Sequence, residues 1–136
     1  MMLDYHVSAR RIDSHGSEAT TKEARIVLDT DMAGRADAFN PAEMLLASLA
    51  ACMLKSAERV VPLLEFELRG MEVSLHGQRQ DSPPKIIRID YEIVVDTDET
   101  DQRLELLHKN LRKYGTITNT LAGATELIGT IARKGA

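Results

Sequence analysis

Cys52 is the one cysteine in this sequence, and the side chain best suited to redox or nucleophilic chemistry. A thiolate attacks electrophiles and is oxidised stepwise, first to a sulfenic acid and then to a disulfide or a higher acid. The residue falls inside a helix, because Asn40-Pro41 ahead of an apolar run is a helix-start signal. At about 100° per residue, Arg59 lies about 20° from Cys52 around the axis, Ser48 and Ser56 about 40° to either side, and Lys55 about 60° away. Two cations and two hydroxyls on the cysteine's face favour the thiolate. On spacing alone the plainer reading carries more weight: a small, buried packing residue, since free cysteine is among the most buried residue types.

Three further side chains are candidates for the same chemistry. Glu43 reads equally as an active-site carboxylate and as the third-position partner of Asn40 in a capping box. Arg25 and Arg35 precede the helix and are candidates to assist a thiolate. The four histidines, His6, His15, His76 and His108, show no metal-ligand spacing such as H-E-x-x-H. His108 is a candidate base only if the fold brings it to Cys52. A single cysteine makes neither an intramolecular disulfide nor a cysteine-based zinc or iron–sulfur site. No glycine-rich phosphate loop is present, so neither a cofactor nor a metal is expected.

Composition narrows the partners. Lys plus Arg is 17 against 21 Asp plus Glu, a formal charge of −4, which argues against nucleic acid. An apolar fraction of 43% with 28% charged residues is a globular mix, and 136 residues suit one domain spanning 1–136. The run Met44 to Leu54 is about half the roughly 20 residues a membrane span needs. Met1 to Arg11 is charged and carries no apolar signal core. The expectation is a soluble protein of a reducing compartment, cytoplasmic in a bacterium, with no membrane partner.

The elements that must position these residues follow from periodicity. Tyr5, Val7 and Ala9 alternate with polar residues, as do Ala24, Ile26 and Leu28, which predicts two strands with a loop from Asp13 to Lys22. The helix starts at Pro41 and is expected to end near Val60, because Pro62 is unsuited to a helix interior. It is apolar on nearly every face between Met44 and Leu54, which calls for a second subunit or a second helix against it. Met71, Val73 and Leu75 predict a strand, and Ile87, Ile89, Tyr91, Ile93 and Val95 predict its hairpin partner across Ser82-Pro83-Pro84. Leu104, Leu107, Leu111 and Tyr114 predict a second helix, with Gly115 in a left-handed position just past its end. A further turn and a last strand over 126–131 complete an α+β domain.

Two segments carry a resemblance. Asn40-Pro41-Ala42-Glu43-Met44-Leu45-Leu46-Ala47-Ser48-Leu49-Ala50-Ala51-Cys52 resembles the Asn-Pro-Glu…Ala-Ala-Cys helix of the OsmC/Ohr family, the osmotically inducible and organic hydroperoxide resistance proteins. Lys113-Tyr114-Gly115-Thr116-Ile117-Thr118-Asn119-Thr120-Leu121 is similar to that family's second motif. The resemblance implies an antiparallel sheet packed on a long buried central helix, in an intertwined homodimer with active sites at the subunit interface. It also implies a peroxidatic cysteine at Cys52, assisted by an Arg and a Glu, and a second cysteine that resolves the sulfenic acid as a disulfide for reduction by dithiols.

The chain departs from that pattern. Gly115 and Thr116 stand where the family has Cys-Pro, so the resolving cysteine is missing. The family's glutamate falls on Ala42, and Glu43 is about 100° further around the helix. The arginine has no clear counterpart beyond Arg25 and Arg35. One functional class is then a one-cysteine peroxidase, in which Cys52 reduces an organic hydroperoxide and an external thiol or dithiol resolves it. A second is a non-catalytic relative binding a small apolar ligand at the dimer interface. A third is a Cys52-based redox sensor.

Overall fold

The computed structural model describes residues 2–136. The elements run β1 (Ser8–Asp13), β2 (Gly16–Thr21), β3 (Ala24–Leu28), α1 (Pro41–Leu64), β4 (Gly70–Asp81), β5 (Pro84–Asp96), α2 (Asp101–Tyr114), α3 (Thr116–Ala122) and β6 (Glu126–Arg133). Three helices are combined with two small, mainly antiparallel sheets, an α+β arrangement. The chain divides into two compact units, Met1–Leu45 and Leu46–Ala136.

The first unit holds an antiparallel sheet in the order β1-β2-β3. Its central strand lies where the sequence suggested a loop, and β1 starts at Ser8 rather than Tyr5. Gly16–Thr21 is small and polar and offers no apolar alternation to detect, yet Gly16, Ser17 and Ala19 are buried there. The Arg35 guanidinium lies over Gly16, where a side chain would displace it. Beyond β3, buried Asp29 accepts the backbone N–H groups of Asp31 at 3.1 Å and Arg35 at 2.9 Å, which orders the loop before α1. Asn40 and Glu43 then cap the helix reciprocally. Asn40 Oδ1 accepts the Glu43 N–H at 2.8 Å, and Glu43 Oε1 accepts the Asn40 N–H at 3.0 Å.

In the second unit α1 buries the stripe Leu49, Met53, Ala57 and Val60. Leu54 and Leu63 stay exposed, so within one chain the helix is not covered on every side. Pro62 does not stop it. A proline this close to the end removes a single hydrogen bond of the last turn. Termination comes from Glu65 at φ 50, flanked by Phe66 N–H to Val61 O at 3.0 Å and Glu65 N–H to Pro62 O at 3.3 Å, a Schellman end. Arg103 Nη2 donates to the Leu64 carbonyl at 2.6 Å and satisfies another terminal acceptor.

The second sheet has the order β4-β5-β6. The strands thus form two three-stranded sheets where one antiparallel sheet was expected, and β6 joins β5 in parallel. The α2–α3 crossover between them supplies the long connection that parallel pairing needs. The hairpin forms as read, with Ile89, Tyr91, Ile93 and Val95 buried. Ile87 does not join them. The register shifts beside it, so Ile86 turns toward the core and Ile87 is exposed, as at a β-bulge. Leu104, Leu107 and Leu111 complete the core as expected, while Tyr114 is half-exposed. Thr100 caps α2 by accepting the Arg103 N–H at 3.2 Å, and the neighbouring Glu99 pairs with Arg103.

Gly129 faces Tyr91 across β5–β6, and a methyl group there would collide with the phenol ring. Gly129→Ala is therefore expected to destabilise the fold by roughly 1–3 kcal/mol, the usual cost of overpacking. Urea denaturation measures it, and an unchanged midpoint contradicts this account of the glycine.

Candidate active site around Cys52

Cys52 is half-buried on α1. Its sulfur approaches Gly115, the buried joint between α2 and α3. Gly115 has φ −77 and ψ 119, an extended conformation open to most residues and not the left-handed one expected. Space explains the glycine instead. A Cβ at 115 would stand 3.1 Å from Cys52 Sγ, 3.1 Å from the Leu111 carbonyl oxygen and 2.8 Å from Thr118 Oγ1. Thr118 is only 2% exposed, and its hydroxyl has no hydrogen-bond partner among the described residues. A thiol, a hydroxyl and a carbonyl oxygen thus crowd the point where a side chain at 115 would begin.

Of the residues expected around the thiol on helical geometry, Ser48 and Ser56 are half-buried and Lys55 and Arg59 exposed. No ion pair engages Lys55 or Arg59 among the described residues. Three other candidates lie in the first unit, each with a partner of its own. Arg25 pairs with Glu18 at 3.5 Å on an exposed strand. Arg35 makes a forked pair with Asp37, Nε to Oδ1 and Nη2 to Oδ2 both at 2.9 Å. That pair raises the arginine's pKa and lowers the carboxylate's. Glu43 is occupied as the helix cap. The structure brings none of these three against another.

His108 is not brought to Cys52 but to Tyr91, whose hydroxyl lies 2.6 Å from His108 Nε2. Arg112 Nη1 donates to the same hydroxyl at 3.0 Å, leaving the phenol proton for a neutral imidazole. Burial pushes the His108 pKa below 6.5, Glu105 opposes the shift, and Arg112 adds to it. An unfolded chain takes up this proton first, so His108 costs stability as pH falls below its unfolded value. His108→Gln keeps an acceptor for the phenol and does not titrate. The variant should lose less stability than the parent between about pH 7.5 and about pH 5.5. Equal losses by urea denaturation would remove His108 from the account.

Sequence reasoning missed Thr118 and the Tyr91–His108–Arg112 cluster. Thr118 offered one faint signal, a polar residue between Ile117 and Leu121 three positions after Gly115. Among the described residues no group of three or more His, Cys, Asp or Glu is placed to hold a metal ion. None of the described helices is long and apolar enough to cross a membrane.

The sequence model for OsmC-like proteins matches residues 34–128, a span that contains both Cys52 and Gly115. The chain belongs to the OsmC-like protein family. No curated protein matches this OsmC-like chain in sequence. Solved structures share its fold. An OsmC-like protein from Mycoplasma pneumoniae superposes with a TM-score of 0.89 at 20% identity, covering 98% of this chain and 99% of that one. An organic hydroperoxide resistance protein OsmC from Legionella pneumophila, described as a predicted redox protein, gives 0.77 at 16% identity, covering 97% and 98%. The organic hydroperoxide resistance protein OhrB of Bacillus subtilis gives 0.65 at 16%, covering 96% and 98%. At such identities the likeness is one of fold. In this OsmC-like protein, the position that the resemblance assigned to a second cysteine is the glycine that faces Cys52 Sγ.

Proposed function

We propose that this OsmC-like protein is a one-cysteine thiol peroxidase acting on organic hydroperoxides. The observation that carries the reading is the placement of Cys52 Sγ, half-buried and 3.1 Å from where a side chain at 115 would begin, with the Thr118 hydroxyl and the Leu111 carbonyl oxygen beside the same point. The Cys52 thiolate attacks the terminal oxygen of the hydroperoxide, the S–O bond forms as the O–O bond breaks, and the alkoxide leaves as the alcohol with the proton the thiol gave up. Cys52 is then a sulfenic acid. A first equivalent of external thiol displaces water to form a mixed disulfide, and a second, or the other arm of a dithiol, releases the Cys52 thiol. No step is assigned to Arg25, Arg35 or Glu43, which pair with Glu18, Asp37 and Asn40 in the first unit.

The working form is a homodimer. Ile26 and Val27 on opposite faces of β3, Ile12 on β1 and Phe39 after the sheet leave exposed apolar surface for a second copy to cover. A free thiol as the working group suits a reducing compartment, the cytoplasm. One observation favours a second reading, that of an apolar ligand binder. The first unit contains a cavity of about 350 Å³ walled by Ala19, Ile26, Leu28, Phe39 and Met44, a size within the ligand-pocket range. Consumption of cumene hydroperoxide with dithiothreitol as reductant separates the two. Catalytic turnover supports the peroxidase, and its absence leaves ligand binding as the better reading.

A further inference from the structure

We propose that Thr118 is the hydrogen-bond donor that holds the oxygen atom delivered to Cys52, an inference that rests on the peroxidase reading. Buried hydroxyls almost always have a partner, and Thr118 Oγ1 has none among the described residues. It lies on the side of Gly115 that Cys52 Sγ also faces, and the two atoms do not hydrogen-bond each other. One oxygen between them meets both needs: it is the atom attacked by sulfur, and it accepts the threonine's proton as a hydrogen bond. With glycine at 115, no side chain stands between the sulfur and the hydroxyl. Any Cβ there crowds Thr118 Oγ1 at 2.8 Å.

The chemistry assigns each atom a place. Before attack, the terminal oxygen of the hydroperoxide accepts from the Thr118 hydroxyl, and its own O–H has the Leu111 carbonyl oxygen as a neighbouring acceptor on the same side of Gly115. During attack the terminal oxygen passes to sulfur, and the alcohol departs with the proton released by the thiol. The threonine O–H is not consumed. It stays with the sulfenyl oxygen and orients that oxygen away from the approach of a reducing thiol, which must attack sulfur.

The test compares the parent with Thr118→Val and Thr118→Ser by rapid mixing with cumene hydroperoxide, trapping the sulfenic acid with dimedone and reading intact mass. Valine matches threonine in shape and removes a buried, unpaired hydroxyl, so folding is expected to hold or improve. The inference predicts that Thr118→Val forms the adduct about tenfold more slowly, the value of one hydrogen bond. Alkylation of Cys52 by iodoacetamide, which delivers no oxygen, stays at the parental rate, and Thr118→Ser restores adduct formation. Parental adduct formation in Thr118→Val overturns the role of Thr118 while leaving the peroxidase intact. Equal slowing of adduct formation and alkylation also overturns it, because a packing change would do that. A parent protein that yields no adduct fails at the earlier step, and the peroxidase reading falls with the inference.

Discussion

Cys52→Ser is expected to reduce hydroperoxide consumption to the uncatalysed rate, a loss of about 10³-fold or more, as when a covalent nucleophile is removed. Serine is close to cysteine in size and Cys52 is only half-buried, so the fold should survive the change. A serine hydroxyl is a weak nucleophile without an adjacent base. The chain has no other cysteine to take over, and its six methionines, once oxidised, await a separate reductase. Loss of turnover in this variant, with an unchanged thermal midpoint, places the chemistry on one atom. Residual turnover at more than a few per cent of the parent would mean that the chemistry lies elsewhere.

Gly115→Cys is expected to form a disulfide with Cys52 under mild oxidation. The Cβ of residue 115 would stand 3.1 Å from Cys52 Sγ. Across a disulfide, a Cβ lies about 3 Å from the far sulfur, given an S–S bond of about 2.05 Å. The new sulfur thus has its bonding partner within reach, at the cost of moving the Thr118 hydroxyl. Closing the loop between 52 and 115 would stabilise the oxidised protein by up to about 4 kcal/mol on the chain-entropy argument. After cumene hydroperoxide, the variant should lose both thiols to maleimide titration and yield no dimedone adduct, because the second sulfur captures the sulfenic acid first. The parent should keep its adduct. Two titratable thiols persisting in the oxidised variant would contradict the placement of Gly115 against the sulfur.

Much of this arrangement could be read from residue order. The β4–β5 hairpin announces itself because Ile89, Tyr91, Ile93 and Val95 alternate with polar residues over a buried face. The start of α1 is equally plain, since Asn40, Pro41 and Glu43 state their own hydrogen bonds. The far end of α1 was hidden, because its stop depends on Glu65 adopting a left-handed backbone rather than on Pro62. Strand β2 was hidden because its fitness is smallness between two neighbours, which has no period. In the site, Cys52 could be singled out by type alone. Gly115 was legible as punctuation but not as clearance, since its reason is three atoms contributed by α1, α2 and α3. Thr118 was invisible for the same cause: a missing hydrogen bond exists only once the chain is folded.

The central claim is that Cys52 takes an oxygen atom from an organic hydroperoxide. Its most direct test is intact mass spectrometry of the reduced protein after one equivalent of cumene hydroperoxide in the presence of dimedone, followed by peptide mapping. The account predicts a single dimedone adduct on Cys52 and stoichiometric release of the alcohol. An unmodified Cys52 with the hydroperoxide intact would contradict it.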